Sequence, residues 1–555
     1  YVMFLASIFF IHEVDRIPPD GYFLLNNLPL TYWIGIISLV ALAYYTAITE
    51  GIMEGLVGNL ITSTIITMLP SYIHTIPRFT YRNAIYTDTF SFVAQTLYVL
   101  RTGHNVIGNE TPGLIGYFSG VLMTLTDFDL VVYAKYAPIF VSILLSLMVY
   151  LFARLFLKDK RYSLIAVLAF QALSWTGLVY NRQSFAFLLQ FFAWLLIVKL
   201  SIQKYSRETV IHLILVILAL TISHPASSLV ISLTPFTILV IRKTFSVLEP
   251  ERDYSSLRMT PALAVLGSVS WLLWQINFAS SFTSLIRQFQ TTVNTFLGEP
   301  GPISHIAVSG YTPSYHIIAS LRQYSSYYVL FTGLLFIIYT IRKNTSMKLA
   351  ISIFLLCVSP FPFVLYANRW RMVPFMYAIL PWSILVAGTY KFLGDHHKRI
   401  LTLFSKGIKI LMVLSVILFL LFLPLTMYGP AAHMYPPSSE LTMMEYLTSY
   451  GRGSVALIDP GTTIGSYYEA SYPHNEVFYI PRFPFQHGAG LDLEGVRTFQ
   501  VIATTFRAYS KTAYIQIHPP YDEATDDFVV SLSIEGTYGR VFDSDDWHTA
   551  YSRVR

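Results

Sequence analysis

Long apolar stretches, separated by short polar ones, make up most of the chain before residue 430. A bilayer core of about 30 Å is crossed by roughly 20 apolar residues in an α-helix, so stretches of this length predict membrane spans. The pattern predicts thirteen candidates, of which the first is too short to cross and is interpreted as the end of a truncated helix. They cover residues 1–11, 31–49, 55–73, 130–157, 163–180, 184–201, 209–222, 226–241, 261–279, 327–341, 349–366, 372–390 and 408–427.

Residues 430–555 follow a different pattern. Charged residues become more frequent, apolar runs shorten, and prolines mark the entry at YGPAAHMYPPSSE. Ser438 or Ser439 is suited to cap a helix through ELTMMEYLTSY, because serine favours the position before a helix. The runs GSVALIDPG, TAYIQIH and GRVFDS have the composition of strands bounded by turns. This alternation predicts a small α/β domain.

Composition supports a membrane protein. Hydrophobic residues make up 54% of the chain and charged residues 12%, against about 25% charged residues in an average soluble protein. This balance excludes a disordered chain, a nucleic-acid-binding protein and an ordinary cytosolic enzyme. The net charge of +6 is explained by loop cations that orient a membrane protein. Cys357 is the single cysteine, so no internal disulfide can form.

The positive charges predict the orientation. One side of the predicted bundle collects nineteen of the 37 lysines and arginines, including eleven lysines, on five loops and two adjoining helix ends. Because cytoplasmic loops are enriched in these residues, that side is predicted to be cytoplasmic. The loops are residues 158–162, 203–208, 242–260, 342–348 and 391–409.

The opposite side is then external, and three long loops lie on it. These are residues 12–30, 74–129 and 280–326. Within 74–129, the runs DTFSFVAQTLYVLRTG and TPGLIGYFSGVLMTLTDF have helical spacing and predict two helices lying on the membrane surface. The predicted fold is therefore an all-α polytopic bundle of about 13 transmembrane helices over residues 1–429, followed by a C-terminal extracellular α/β domain over 430–555. The predicted location is the plasma membrane.

The external cations before residue 430 are nearly all arginines. Lys135 is the one lysine among ten, although lysine would serve for orientation. Arginine is the fork-shaped donor suited to phosphate and carboxylate groups, and it keeps its charge when desolvated. The alternative is that these arginines pair with external acids. The arginines are Arg16, Arg78, Arg82, Arg101, Arg182, Arg287, Arg322, Arg369 and Arg371.

Four local runs carry a resemblance to a known class. They are YTDTFSFVAQTLYVLRTGHN (86–105), NRQSFAFLLQFFAWLLIV (181–198), LALTISHPASSL (218–229) and NRWRMVPFMYAILPWSILVAG (368–388), and residues 440–470 of the tail resemble the same family's external domain. With this chain order, the sequence resembles the GT-C class of membrane glycosyltransferases. More narrowly, it resembles archaeal multi-pass members related to oligosaccharyltransferase catalytic subunits. The fold implied is GT-C-like.

The sequence departs from this family in two ways. No two tryptophans are adjacent, so the WWDYG-type signature of true oligosaccharyltransferases is missing. The loop aspartate stands in Thr87-Asp88-Thr89-Phe90, so no DxD motif exists there. No cofactor and no metal site is therefore predicted, and a divalent metal remains an open alternative that no DxD motif supports.

The resemblance implies that Asp88 is the catalytic residue, acting as general base or positioning the acceptor. Sugar transfer from a lipid phosphate requires a carboxylate that takes a proton from the acceptor hydroxyl. The alternative for Asp88 is a helix N-cap, which aspartate favours. Residues that follow the first span, Glu13 and Asp15, are a rival for the catalytic loop. An acceptor or secondary site is predicted to comprise Arg78, Arg82, His104, Glu13 and Asp15, although the histidine is also suited to a capping or surface position.

Four residues are candidates for binding the donor phosphate. Arg369 and Arg371 bracket a tryptophan at a helix start, which fits either a phosphate clamp or an aromatic belt with arginines reaching the headgroups. Arg182, at a short external turn, either points into the bundle or faces lipid headgroups. His224 precedes a proline between two helices, and the resemblance places it near the donor site, whereas its alternative role is a cap.

The leading hypothesis is a membrane glycosyltransferase that transfers a sugar from a polyprenyl-phosphate-linked donor to a protein or glycan acceptor on the external face. Its expected partners are membrane lipids, the donor lipid, the acceptor and a membrane-protein partner, with no nucleic acid. The rival is a non-catalytic GT-C-like scaffold that anchors an external assembly through residues 430–555. A transporter fits less well, because acids within the spans are nearly absent. Asn109 begins an external sequon, Asn-Glu-Thr, and is a predicted glycosylation site.

Overall fold

The computed structural model describes twelve segments of the bundle and five strands of the tail. The segments are residues 1–13, 22–49, 55–81, 87–103, 113–174, 180–202, 206–248, 261–277, 313–340, 347–360, 373–394 and 399–428, and the strands lie within 454–553.

Sixteen helices are present in the described part of the bundle, and each of the thirteen predicted apolar runs overlaps one of them. In chain order they are α1 (Val2–Phe9), α2 (Phe23–Asn27), α3 (Leu30–Ile48), α4 (Gly55–Phe79), α5 (Thr87–Thr102), α6 (Gly113–Thr126), α7 (Leu130–Leu157), α8 (Lys160–Leu173), α9 (Arg182–Ile202), α10 (Arg207–Ser223), α11 (Pro225–Leu248), α12 (Pro261–Asn277), α13 (Pro313–Thr340), α14 (Met347–Val358), α15 (Val373–Gly394) and α16 (Arg399–Tyr428).

Six stretches of these helices are long and apolar enough to cross a membrane. They are Leu30–Ile48, Gly55–Phe79, Leu130–Leu157, Arg182–Ile202, Pro225–Thr244 and Lys406–Pro424. The protein is therefore a helical, membrane-embedded one. That all thirteen runs cross the bilayer stays a prediction.

Two central helices form the core of the bundle. Every side chain of α8 from Ser163 to Leu173 is buried, as is every side chain of α15 from Tyr377 to Thr389. The first of these helices packs against α3, α7, α15 and α16, and the second also contacts α13 and α14. Because protein surrounds α8, its short length of about 21 Å is no obstacle to burial in the bundle.

Three predicted loops are shorter than expected, because helices extend into them. α4 runs on to Phe79 although the predicted span ends at residue 73, and α13 begins at Pro313 although the predicted loop ends at residue 326. α16 begins at Arg399, within the predicted loop 391–409. In α4 the apolar pattern stops at His74 and Arg78, but both side chains are buried, so the helix continues where polarity indicates a loop.

A further difference concerns the predicted loop 342–348. Met347 and Lys348 already belong to α14, and both side chains are fully buried. Lysine stems are apolar and can be covered by neighbouring side chains, so a basic residue next to a span need not lie in a loop.

Polar caps set the starts of several helices. Asp129 Oδ1 accepts a hydrogen bond from Val132 N at 2.7 Å and starts α7. Asp159 Oδ1 accepts one from Arg161 N at 2.9 Å and starts α8. Asn181 Oδ1 accepts one from Ser184 N at 2.8 Å at the start of α9. Each cap satisfies a backbone N–H that the helix itself leaves without a partner.

The predicted cytoplasmic segments meet at one end of the bundle, called here the inner end. Lys160 Nζ donates a hydrogen bond to Asn59 Oδ1 at 2.9 Å, which joins the start of α8 to the start of α4. Lys391 Nζ donates one to Leu157 O at 2.9 Å, which joins the end of α15 to the end of α7. The opposite end is called the outer end.

Two helices, which the sequence pattern predicts within residues 88–103 and 111–128, pack over the outer end. α5 and α6 pack against each other, α5 also contacts α7, and α6 contacts α9 and α10. A small apolar core joins them, with Phe92 and Val93 of α5, Ile115 and Met123 of α6, and Tyr180 before α9. That these helices lie on a membrane surface stays a prediction.

The five strands of the tail form one mixed sheet. They are β1 (Ser454–Asp459), β2 (Val477–Pro481), β3 (Ala513–Ile517), β4 (Tyr538–Asp543) and β5 (Thr549–Arg553). The order is β2-β1-β3-β5-β4, in which β1 pairs in parallel with β2 and β3, and β5 pairs antiparallel with β3 and β4.

Three of these strands, β1, β3 and β4, lie in runs that the sequence predicts as strands. β2 and β5 lie outside the runs that the sequence predicts as strands. The helix predicted within 440–450 lies outside the described residues, so the division into a bundle and an extracellular α/β domain stays a prediction.

Candidate functional site

Three charged residues from separate segments lie close together at the outer end. Arg78 is near the C-terminus of α4 and is 3% exposed, and Lys135 lies in α7. Lys135 Nζ donates a hydrogen bond to Tyr81 O at 2.6 Å. Both Glu13, which follows α1, and Arg78 are close enough to Lys135 to interact with it electrostatically. These residues are called the first outer group.

A buried hydrogen-bond network lies next to the first outer group, one helical turn further into the bundle. His74 lies one helical turn before Arg78, is fully buried and is hydrogen-bonded to Gln171 of α8. Gln171 Nε2 donates to Ser146 Oγ at 2.6 Å, and Gln171 Oε1 accepts from Ser174 Oγ at 3.2 Å. Buried polar groups that are hydrogen-bonded in this way hold helices in one relative position. The network therefore fixes α4, and with it Arg78, against α7 and α8.

A second outer group is centred on His224, between α10 and α11. His224 Nδ1 accepts a hydrogen bond from Ser227 N at 3.3 Å, which caps α11. The same nitrogen lies 3.5 Å from Tyr377 Oη of α15. Arg182, the first residue of α9, is near enough for its charge to act on the imidazole. Gln183 is hydrogen-bonded to Tyr377, so α9, α10, α11 and α15 meet at this point.

The second outer group keeps its histidine neutral. Burial, and after it the positive charge of Arg182, lower the pKa of His224 to about 3. Because Nδ1 accepts from the Ser227 backbone, the one proton of the neutral ring is assigned to Nε2. The group therefore combines a guanidinium with an imidazole N–H donor, a combination suited to an anion such as a phosphate.

The structure brings together some of the predicted site residues. Glu13 and Arg78 both act electrostatically on Lys135 in the first outer group, and Arg182 acts on His224 in the second. The charge of Arg182 thus acts on His224, and His224 also caps α11. Asp15, Arg82, His104, Asn109, Arg369 and Arg371 lie outside the described residues.

The alternative role of Asp88, that of a helix N-cap, is not what the backbone shows. α5 begins at Thr87, so Asp88 stands in the first turn of the helix, after the cap position. A carboxylate is also favourable in the first turn because of the helix dipole. The helix therefore loses little stability when it begins before Asp88. The placement of the Asp88 side chain lies outside what the structure describes.

Four residues in or next to the two outer groups were not predicted as site residues. Lys135 carries a signal, because it is the one lysine among the ten outer cations. His74 and Gln171 are polar residues within apolar runs, which is a weaker signal. Tyr377 has none, because tyrosine is common throughout this chain.

In the described segments, no group of three or more His, Cys, Asp or Glu side chains is arranged to hold a metal ion. The expectation that the protein needs no metal or other cofactor stays a prediction.

Comparisons with known proteins find similarity at the level of structure. No protein-family model matches the chain. No curated protein matches it either. The crystal structure of ArnT from Cupriavidus metallidurans bound to undecaprenyl phosphate is 11% identical over 95% of this chain and 99% of that one, with a TM-score of 0.50. The chain has the fold of ArnT.

The oligosaccharyltransferase of Archaeoglobus fulgidus, in a complex with Zn and sulfate, is 13% identical over 88% of this chain and 72% of that one, with a TM-score of 0.49. The predicted polytopic helical fold of the bundle is confirmed by the similarity to ArnT, and its assignment to the GT-C class stays a prediction.

Proposed function

We propose that the protein is a membrane glycosyltransferase that transfers a sugar from a polyprenyl-phosphate-linked donor to an acceptor on the external face of the plasma membrane. The observation that carries this proposal is the presence of cations from α4, α7 and α9, in two groups, at one end of a bundle with the fold of ArnT. The ArnT structure contains undecaprenyl phosphate, which supports a lipid phosphate as the donor's leaving group.

In this proposal the second outer group receives the donor phosphate. Arg182 supplies a guanidinium group and His224 supplies an Nε2–H donor. Both stabilise the phosphate more strongly as its negative charge increases during bond cleavage. Arg369 and Arg371 are proposed to complete the site from the segment before α15. The donor's lipid chain would lie between helices, with its phosphate at the outer end.

The chemical step requires a base as well as the cations. The acceptor hydroxyl oxygen attacks the anomeric carbon, the bond from that carbon to the phosphate oxygen breaks, and polyprenyl phosphate leaves with the electron pair. Asp88 is proposed to take the acceptor proton, and Glu13 is the second candidate because its charge acts on Lys135 of the first outer group. The acceptor is proposed to bind near the first outer group, and no metal takes part in this scheme.

The experiment compares three single variants of the full chain, purified into lipid and supplied with polyprenyl-phosphate hexose and a membrane extract as acceptor source. Asp88→Asn should lower transfer by roughly 100-fold or more, because an amide cannot accept the proton. Glu13→Gln should lower it less. Glu208→Gln is the matched control, since Glu208 is an exposed acid at the start of α10 at the inner end.

Transfer at the parental rate by Asp88→Asn would remove Asp88 from the catalytic role. If, in addition, Glu13→Gln lost the activity, the base would be Glu13. A wild-type protein that neither transfers sugar nor retains polyprenyl phosphate in the membrane extract would contradict the enzyme and support the scaffold, which anchors an external assembly through residues 430–555.

A further inference from the structure

Three cations and two tyrosine rings meet at the inner end of the bundle, far from the outer groups. Lys391 Nζ lies 5.8 Å from the centre of the Tyr162 ring, and Lys409 Nζ lies 5.0 Å from the centre of the Tyr390 ring. The two rings are 6.3 Å apart. Arg161 lies 5.6 Å from the Tyr162 ring. These five residues are called the inner cation cluster.

The inner cation cluster is held in place by its neighbours. Lys391 Nζ donates a hydrogen bond to Leu157 O, so its ammonium group is fixed at the turn between α7 and α8. Arg161 pairs with Asp159 at 3.0 Å. Lys391 and Lys409 come from α15 and α16, which are far from α8 in sequence.

Membrane orientation alone does not require such convergence. Loop lysines and arginines orient a membrane protein wherever they stand near the ends of the spans. Here the cations of α8, α15 and α16 surround the same pair of rings, which builds a positively charged surface with two phenol groups. This arrangement fits a phosphate that accepts several hydrogen bonds at once.

The position of the cluster indicates where such a phosphate comes from. Lys409 lies at the beginning of the apolar stretch Lys406–Pro424, which is the level of lipid headgroups in a span of this length. The next two side chains, Ile410 and Leu411, are 58% and 66% exposed and have the apolar character of a surface that contacts acyl chains. A lipid would satisfy both features, whereas a soluble anion would satisfy the charges alone.

We propose that the inner cation cluster binds the headgroup of an anionic phospholipid, with its phosphate between Lys391 and Lys409 and its acyl chains along α16. This site is separate from the proposed donor site, because it lies at the other end of the bundle. It serves to hold α8, α15 and α16 together at the membrane surface.

The test measures lipid retention by the purified full chain with native mass spectrometry, in a neutral detergent, against phosphatidylglycerol and phosphatidylcholine as probes. The wild type should retain phosphatidylglycerol roughly tenfold more strongly than phosphatidylcholine, because each nearby lysine favours an anionic headgroup. The double variant Lys391→Gln with Lys409→Gln should lose most of this preference. Lys243→Gln, which removes an exposed cation of α11 at the same end, should keep it.

Two controls keep the result interpretable. The double variant should show the wild-type thermal midpoint in neutral detergent without added lipid, and Lys409→Gln alone is used if it does not, because Lys409 is not the residue that holds the α7–α8 turn. Equal retention of both lipids by the wild type, or an unchanged preference in the variants, would overturn the proposal. So would displacement of the lipid by millimolar inorganic phosphate, which would assign the cluster to a soluble anion.

Discussion

His224 combines two tasks at the outer end of the bundle. Its Nδ1 accepts from the backbone N–H of Ser227 and so begins α11, which leaves Nε2 to donate to a ligand. The ring can do this only while it is neutral, and its buried position beside Arg182 keeps it so. One residue therefore links the start of a helix to the chemistry of the second outer group.

The neutral state of His224 predicts how stability depends on pH. The pKa of this histidine is lowered from its usual 6.5 to about 3 by burial and then by Arg182, so the unfolded chain binds a proton first as the pH falls. The resulting stability is present above pH 6.5 and is lost as the pH falls from 6.5 towards 3. At pH 4.5, two units below the pKa of the unfolded chain, we expect this residue to account for up to about 2.7 kcal/mol of the loss.

The measurement compares the thermal midpoints of the wild type and His224→Asn between pH 7.5 and 4.5. Asparagine does not titrate, and its side-chain oxygen can still cap α11. We expect the midpoint of the variant to change less over this range. Parallel decreases in both proteins would show that other groups control the pH dependence.

Residues differ in how well the sequence indicates their role. Arg182 and His224 could be predicted, because a charged or titratable residue in a short turn between two apolar runs stands out. His74 and Gln171 could not be placed in a network, since their contact joins helices that are almost a hundred residues apart. Tyr377 gave no signal at all, because burial of a tyrosine hydroxyl beside a histidine depends on the packing of four helices.

At the scale of helices, the contact of α13 with α14 depends on a single glycine. A Cβ atom at Gly333 would overlap the Phe354 ring, with Cε2 at 2.8 Å and Cε1 at 2.9 Å. Real Cβ atoms do not approach this closely, so α13 and α14 pack at their present distance only because position 333 has no side chain. Phe354 is fully buried and has no space to move into.

Gly333→Ala should therefore lower the stability of the bundle by about 1–3 kcal/mol, which is the usual cost of overpacking a well-packed core. The matched control is Gly407→Ala in α16, where a Cβ would meet no atom within 4 Å, so stability should stay the same or rise by up to about 1 kcal/mol. Thermal unfolding in detergent measures both. Adding Phe354→Leu to Gly333→Ala should restore part of the loss, and a failure to do so would show that another contact is responsible.

Most helices could be located from the sequence, and their ends could not. Apolar runs predict the interiors of spans, because each run is buried in lipid or protein. α4 shows why the ends differ: its last turn carries His74 and Arg78, which resemble loop residues until the buried partners are known. α5 and α6 were predicted from their spacing, whereas their packing over α7 and α9 required the structure.

At the scale of the whole molecule, the structure brings together at one end the segments that the positive charges predict to be cytoplasmic. Lys160 reaches α4 and Lys391 reaches α7 at the same end of the bundle, as the charge pattern predicts. The sole cysteine, Cys357, is buried, so cysteines introduced elsewhere can be labelled against a low background.

Single-cysteine labelling of intact cells with a membrane-impermeant maleimide should then report the orientation. Thr126→Cys, at the exposed end of α6, should react, and so should Arg555→Cys if residues 430–555 are external. Glu208→Cys, at the exposed start of α10, should react only after the membrane is opened. Labelling of Glu208→Cys in intact cells would reverse the orientation.

The class of the fold could be predicted from the sequence, but the packing of its helices against one another could not. The apolar runs, the charge asymmetry and four local resemblances indicate a GT-C-like bundle, and ArnT shares its fold. The grouping of Glu13 with Arg78 and Lys135 was not predictable, since it depends on how three segments cross at the outer end. The division of the tail into strands was predictable in part, because short strands are recognised only when turns flank them.

The charges of the first outer group affect how stable the folded protein is when no anion is bound to them. Arg78 and Lys135 repel each other, and the negative charge of Glu13 also acts on Lys135. An anion that enters this group relieves the repulsion and stabilises the folded bundle, by about 2.7 kcal/mol when its concentration is a hundred times its dissociation constant. Anion binding at the first outer group is therefore expected to appear as a higher thermal midpoint of the whole bundle.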